Sequence, residues 1–191
     1  MISASQFATI PLPIEAQYPP KKALTMTQDR NPEIEILLDR EKQQVEEFIR
    51  LFSVKGVDYE IISDKEENWT AKEILAHIVF WHESFARNIS DMGEKREPKP
   101  LRGSMTEAIY GGIRENRSFP ISTLLRRLRK AQKLIEKYIY DSSIHLIPYK
   151  QGSRPYSRAE HLDVVAHHIN TYYWRVVRSY LEKATSESDK K

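Results

Sequence analysis

From Asn31 to about Lys183, apolar residues return at three- and four-residue steps in four long stretches, with charged residues between them. That period belongs to helices whose one face is buried, and it leaves little room for a sheet. The first stretch begins with Asn31 as N-cap and Pro32 at the first helical position, where a missing N–H costs nothing. Ile34, Leu37, Leu38, Val45, Phe48, Ile49 and Phe52 form its stripe, and Gly56 ends it. The second starts at Trp69 or Thr70, with Thr70 and Glu73 at capping-box spacing, and buries Ile74, His77, Ile78, Trp81, Phe85, Ile89 and Met92 before stopping at Gly93. After a loop containing Pro98 and Pro100, Ser104 caps a short helix to about Arg117. A third long helix covers Ile121 to Tyr140, and a fourth runs from Ser157 to about Lys183. Val57 to Asn68 and Asp141 to Pro155 read as connectors.

The implied organisation is a bundle over residues 31–184, preceded by a segment of a different kind and followed by a polar tail over 185–191. In residues 1–30, Pro11, Pro13, Pro19 and Pro20 interrupt any regular element, which predicts an extended or disordered arm. A second reading starts the biological chain at Met26 and makes the upstream segment a gene-model extension.

Composition narrows the function classes. Lys and Arg number 30 against 27 Asp and Glu, a net charge of +3 with alternating signs, which gives no basic stripe for a nucleic acid. Arg126, Arg127, Arg129 and Lys130 read as a solvated face of the third long helix. Without cysteine there is no thiolate nucleophile or disulfide, and any metal must take His, Asp or Glu. No run approaches the roughly 18 apolar residues of a membrane span, and the N-terminus lacks the pattern of a secretory signal. The expected setting is the cytoplasm, with a small molecule as partner rather than a membrane or nucleic acid.

Five of the six histidines fall on two helices: His77 and His82 on the second, His161, His167 and His168 on the fourth. Asp163 and His167 are four residues apart and share a helix face, so with His77 from a facing helix they would supply three metal ligands and an open position. The helical wheel pulls the other way. At about 100° per residue, the apolar face of the last helix centres on Leu162, Val165, Ile169, Tyr173, Val176 and Tyr180. Asp163 and His167 point away from it beside Trp174, whereas His161 and His168 flank the core and form the competing ligand pair. Trp69, Trp81, Tyr172, Tyr173 and Trp174 wall either a small-molecule pocket or simply the core.

The run Trp69-Thr-Ala-Lys-Glu-Ile-Leu-Ala-His77-Ile-Val-Phe-Trp81-His82 resembles the second-helix signature of the DinB-like superfamily. Its Phe-Trp-His ending, with Tyr172-Tyr173-Trp174, looks most like the ClbS/DfsB subgroup, and Asp163-Val-Val-Ala-His167 is similar to the last-helix motif of the mycothiol-dependent maleylpyruvate isomerase branch. The resemblance implies an all-α, up-down-down-up four-helix bundle of the DinB/YfiT-like metalloenzyme fold, often a homodimer. It implies a metal-dependent hydrolase or thiol-dependent transferase acting on a small molecule in stress or detoxification. Carried over by motif, His77, Asp163 and His167 are the metal ligands, for zinc or nickel, while Trp81, His168, Tyr172 and Trp174 are substrate-binding. This sequence departs from the pattern: neither Val164 with His168 nor His167 with Thr171 completes the common His-x3-His, and Asp163 stands in place of Glu. A ClbS-like member needs no metal at all, and His77 or His168 then serves as general base. The alternative is a non-catalytic binding or structural bundle that has lost its metal site.

Overall fold

The computed structural model describes residues 31–60 and 67–188, with side chains described as far as Leu181. The N-terminal arm and the Met26 start lie outside the described residues. Five helices follow one another: α1 (Pro32–Leu51), α2 (Ala71–Gly93), α3 (Met105–Asn116), α4 (Ile121–Tyr138) and α5 (Arg158–Ser188). Between α4 and α5, within the stretch read as a connector, β1 (Leu146–Ile147) and β2 (Tyr156–Ser157) pair antiparallel, Leu146 opposite Ser157 and Ile147 opposite Tyr156. Strands of two residues carry no alternation long enough to be seen in a sequence.

The helix starts follow their caps. Asn31 accepts from the Glu33 backbone N–H, with Pro32 at the first helical position. Thr70 and Glu73 complete the capping box that opens α2, and Ser104 and Glu107 complete another at α3. The first ends before Gly56: Phe52 closes α1 by donating to Arg50 and Ile49 carbonyls, and Gly56 takes a left-handed turn (φ 77°) in the loop beyond.

α1 packs chiefly on α5, and α2 chiefly on α4, with α3 laid against α2 and α5 touching it from the other side. Gly112 of α3 marks the close approach there, because a Cβ at that position would fall 2.4 Å from the Phe80 ring. The apolar interior divides in two. One cluster gathers Phe48, Leu51, Trp69, Ile74, Ile78, Leu128, Tyr173, Val176 and Tyr180, and the other gathers Leu38, Phe85, Ile89, Ile135, Ile144, Ile147 and Leu162. Glu41, His82 and Gln132, described below, fall along their helices between members of one cluster and members of the other.

The α2 capping box fixes the start of the helix that carries most of the site. Thr70→Ala removes the side-chain acceptor for the Glu73 N–H and is expected to cost about 1 kcal/mol. Urea unfolding should show a lower midpoint with unchanged slope; an unchanged midpoint would mean that tertiary packing alone sets the start of α2.

Candidate functional site

α2 presents His77 and Trp81 toward α5, which answers with His168 and Tyr172 one turn apart. His77 and His168 meet nitrogen to nitrogen, Nε2 to Nε2 at 3.0 Å. Tyr172 packs against both rings, its centroid 4.8 Å from His77 and 4.9 Å from His168. Trp69 also packs on His77 at 5.2 Å and lies parallel to Tyr172, and Arg175 stands over Trp69 and Tyr172 at 5.5 and 4.7 Å.

A nitrogen-to-nitrogen contact of this length requires one donor and one acceptor, so the two rings share one N–H. Burial drives both rings neutral. His77 is pulled down to about 2 by desolvation, then by the neighbouring His168 and Arg175, and His168 to about 4 by desolvation, His82 and His167. His77 Nδ1 is sealed from solvent without a partner. An orphaned N–H is costlier to bury than a bare lone pair, so the His77 proton sits on Nε2 and is donated to His168.

These rings border a cavity of about 250 Å³. Trp81 and Tyr172 form its aromatic wall, Met105 and Ile109 of α3 close one side, and Tyr149 and Tyr156 close another. His161, Val164 and Val165 of α5 complete it, and among the described residues no Lys, Arg, Asp or Glu lines the space.

The expected metal triad is not assembled. Asp163 is exposed and pairs with Arg40 of α1, and His167 is likewise exposed, whereas His77 is 1% exposed. The wheel argument described this geometry: His161 and His168 are the α5 histidines that reach the interior, and they border the same cavity. Of the expected substrate-binding residues, Trp81, His168 and Tyr172 line the cavity, while Trp174 lies edge-on against Tyr173 and is 37% exposed. Val164, where a His-x3-His motif would place its first histidine, borders the cavity as an apolar side chain. Among the described residues no three His, Asp or Glu side chains converge as a metal site. Two facing imidazoles surrounded by valines and aromatic rings do not fit a three-ligand centre.

Behind the cavity lies a polar group that the sequence reading did not single out. Gln132 of α4 donates through Nε2 to Glu41 Oε2 of α1 at 2.6 Å, and its Oε1 bonds His82 Nε2 of α2 at 2.7 Å. His82 Nε2 also approaches Glu41 Oε1 at 3.4 Å, which would be an ion pair only if the proton of Glu41 moved to His82. Burial opposes that charge separation: Glu41 is pushed up to about 8 and His82 held down to about 4, chiefly by desolvation. The pair is therefore neutral, and Gln132 fixes its orientation. The signal for this group was present as polar residues inside apolar stripes: Glu41 between Leu38 and Val45, Gln132 beside Leu128 and Ile135, His82 between Ile78 and Phe85.

Comparison with known proteins gives a fold and no closer relationship. No protein-family model matches the chain, and no curated protein matches its sequence. Among solved structures it is similar to a mycothiol-dependent maleylpyruvate isomerase, with a TM-score of 0.60 at 15% identity over 75% of this chain. A histidine-to-alanine mutant of the same enzyme gives the same values. The match covers 60% of that enzyme's chain. At this identity the likeness is one of fold.

The buried groups set a pH dependence of stability. Glu41, raised from 4.5 to about 8, holds its proton in the folded state where the unfolded chain has lost it; its contribution is complete below about 4.5 and lost as pH rises to about 8. The buried histidines act oppositely: their contribution is present above about 6.5 and lost as pH falls through their lowered values. Between about pH 6.5 and 8 Glu41 acts alone among these groups, so wild-type stability should fall by up to about 1.4 kcal/mol per pH unit, whereas Glu41→Gln should be flat. Urea midpoints across that window decide it, and a wild-type curve that stays level would assign Glu41 an ionised folded state.

Proposed function

We propose that this chain is a small-molecule enzyme of the DinB-like kind in which the His77–His168 pair performs proton transfer at the end of an uncharged aromatic cavity. The observation that carries this reading is the Nε2-to-Nε2 contact of two neutral imidazoles, His77 buried and His168 half-buried, beside that cavity. His168 Nε2, released from the His77 N–H, takes the proton from the O–H or S–H of a nucleophile and returns it to the leaving group, so that the pair ends the cycle with no net charge in the interior. The attacking atom bonds to the electrophilic carbon as the bond to the leaving group breaks. His77 holds His168 through its N–H, and Tyr172 and Trp69 hold His77 in place.

A low-molecular-weight thiol is the first choice of nucleophile, because the fold is shared with an enzyme whose name is mycothiol-dependent; water, in a hydrolase, is the second. The same reading places the protein in the ClbS/DfsB subgroup, as an up-down-down-up four-helix bundle, homodimeric and cytoplasmic, acting in detoxification. Zinc or nickel held by His77, Asp163 and His167 has no support in the geometry, since Asp163 is engaged by Arg40 at the surface. No step is assigned to a metal.

The test uses the full chain with 1-chloro-2,4-dinitrobenzene and glutathione or mycothiol, and with 4-nitrophenyl acetate in water. His77→Gln and His168→Gln should each lower turnover about 10²- to 10⁴-fold while helical circular dichroism is retained, and a chelator should leave the wild-type rate unchanged. Wild-type turnover in both variants would remove the pair from the chemistry. The second reading, a non-catalytic binding bundle, is favoured by the aromatic walls and the missing ligand set. It prevails if the wild-type protein binds small aromatic molecules and turns over neither substrate.

A further inference from the structure

His161 borders the same cavity but takes no part in the His77–His168 contact. It stands a heptad before His168 on α5, roughly 10 Å along the helix axis. The ring is 5% exposed and lies parallel on Phe85, centroid to centroid 3.7 Å and 9° between planes, while Tyr156 of β2 meets it edge-on at 5.7 Å. Two aromatic neighbours therefore hold its orientation, and a ring so held loses no rotamer freedom when a ligand arrives.

Its nitrogens are not equivalent. Nδ1 is sealed from solvent and has no partner. A neutral imidazole carries one N–H, and placing it on Nδ1 would bury an unsatisfied donor, so the proton belongs on Nε2. Nδ1 being shut away while the ring borders the cavity leaves Nε2 as the nitrogen a ligand can reach. Trp81 belongs to the same wall, with its own Nε1 sealed and without a partner.

We propose that His161 is a second recognition point of the cavity, donating through Nε2 to an oxygen of the ligand. The cavity then takes an uncharged molecule that is polar at both ends, one end at the His77–His168 pair and the other at His161, with a flat or apolar middle against Trp81, Tyr172 and Val165. An anionic end is disfavoured, because among the described residues no cation lines the space and an unpaired carboxylate there would bear its full desolvation cost. This assignment rests on the reading that the cavity receives the substrate.

The probe is 4-acetamidophenol, with phenol and acetanilide each lacking one polar end and 4-acetamidobenzoate carrying a charge. Binding to the full chain is measured by calorimetry, and the histidine ring nitrogens are followed by ¹⁵N NMR. The two-ended probe should bind about three- to tenfold more tightly than either one-ended molecule, the charged one should bind more weakly still, and the His161 ring signal should move. In His161→Phe, which keeps the stack on Phe85, the advantage of the second end should disappear. Failure of all the neutral probes to bind overturns the proposal, and so does an unmoved His161 signal in the wild-type protein, a measurement that does not depend on the variant folding. The two readings fail separately. A two-ended preference in a protein without turnover would sink the catalytic role of the pair and leave His161 standing, whereas unchanged KM and kcat in His161→Phe would sink His161 alone.

Discussion

The site depends on the enclosure of α2. That helix packs on α4 and α3, touches α5, and buries polar and apolar positions alike, His77, His82, Ser84 and Asn88 among them. A helix covered on one face keeps its histidines at the rim, where water solvates them and they titrate near their ordinary value. A helix covered nearly all round must bring every polar side chain a partner or leave it neutral. His77 and His82, five residues apart, point about 140° from one another by helical arithmetic, and each finds a different neighbour: His168 of α5 for the first, Gln132 of α4 for the second.

Desolvation then decides between possible chemistries. Four imidazoles and a carboxylic acid share the interior, and for each of them burial is the largest influence on its proton. An interior that permits little net charge suits the exchange of a proton within a neutral pair better than the accumulation of charge on one base. It also suits an uncharged ligand. The charge pair of Arg40 with Asp163, a member of the expected triad, lies outside on the solvent side of α5.

The helices were legible because caps and stripes are local. Asn31, Thr70 and Ser104 each accept from a backbone N–H two or three residues on, and such contacts need no knowledge of the rest of the chain. The site was legible in its parts and not in its assembly. His77, Trp81, His168 and Tyr172 were all marked by residue type, yet the choice between the faces of α5 turned on which histidine the core would claim. Motif spacing favoured Asp163 and His167, and the helical wheel favoured His161 and His168; burial followed the wheel. The two β-strands escaped notice because a register of two residues leaves no period, and with them went the placement of Tyr156 against His161.

The Glu41–Gln132–His82 group sets the limit of such reading. Each member interrupts an apolar stripe, and one polar residue on a stripe is ambiguous. Three on three helices at one level are not, since a buried glutamic acid without a partner would cost more than the surrounding apolar contacts return. Whether the three share a level depends on helix registry, which the connectors determine and no single helix encodes. Once the registry is known, Gln132 explains itself: an uncharged amide can donate to an acid through its nitrogen and accept from an imidazole through its oxygen at once. Glutamate at that position would add a second carboxyl group beside Glu41, and leucine would strand both Glu41 and His82. The same amide therefore ties α1, α2 and α4 together between the two apolar clusters, while burial, against the pull of that hydrogen bond, keeps His82 neutral.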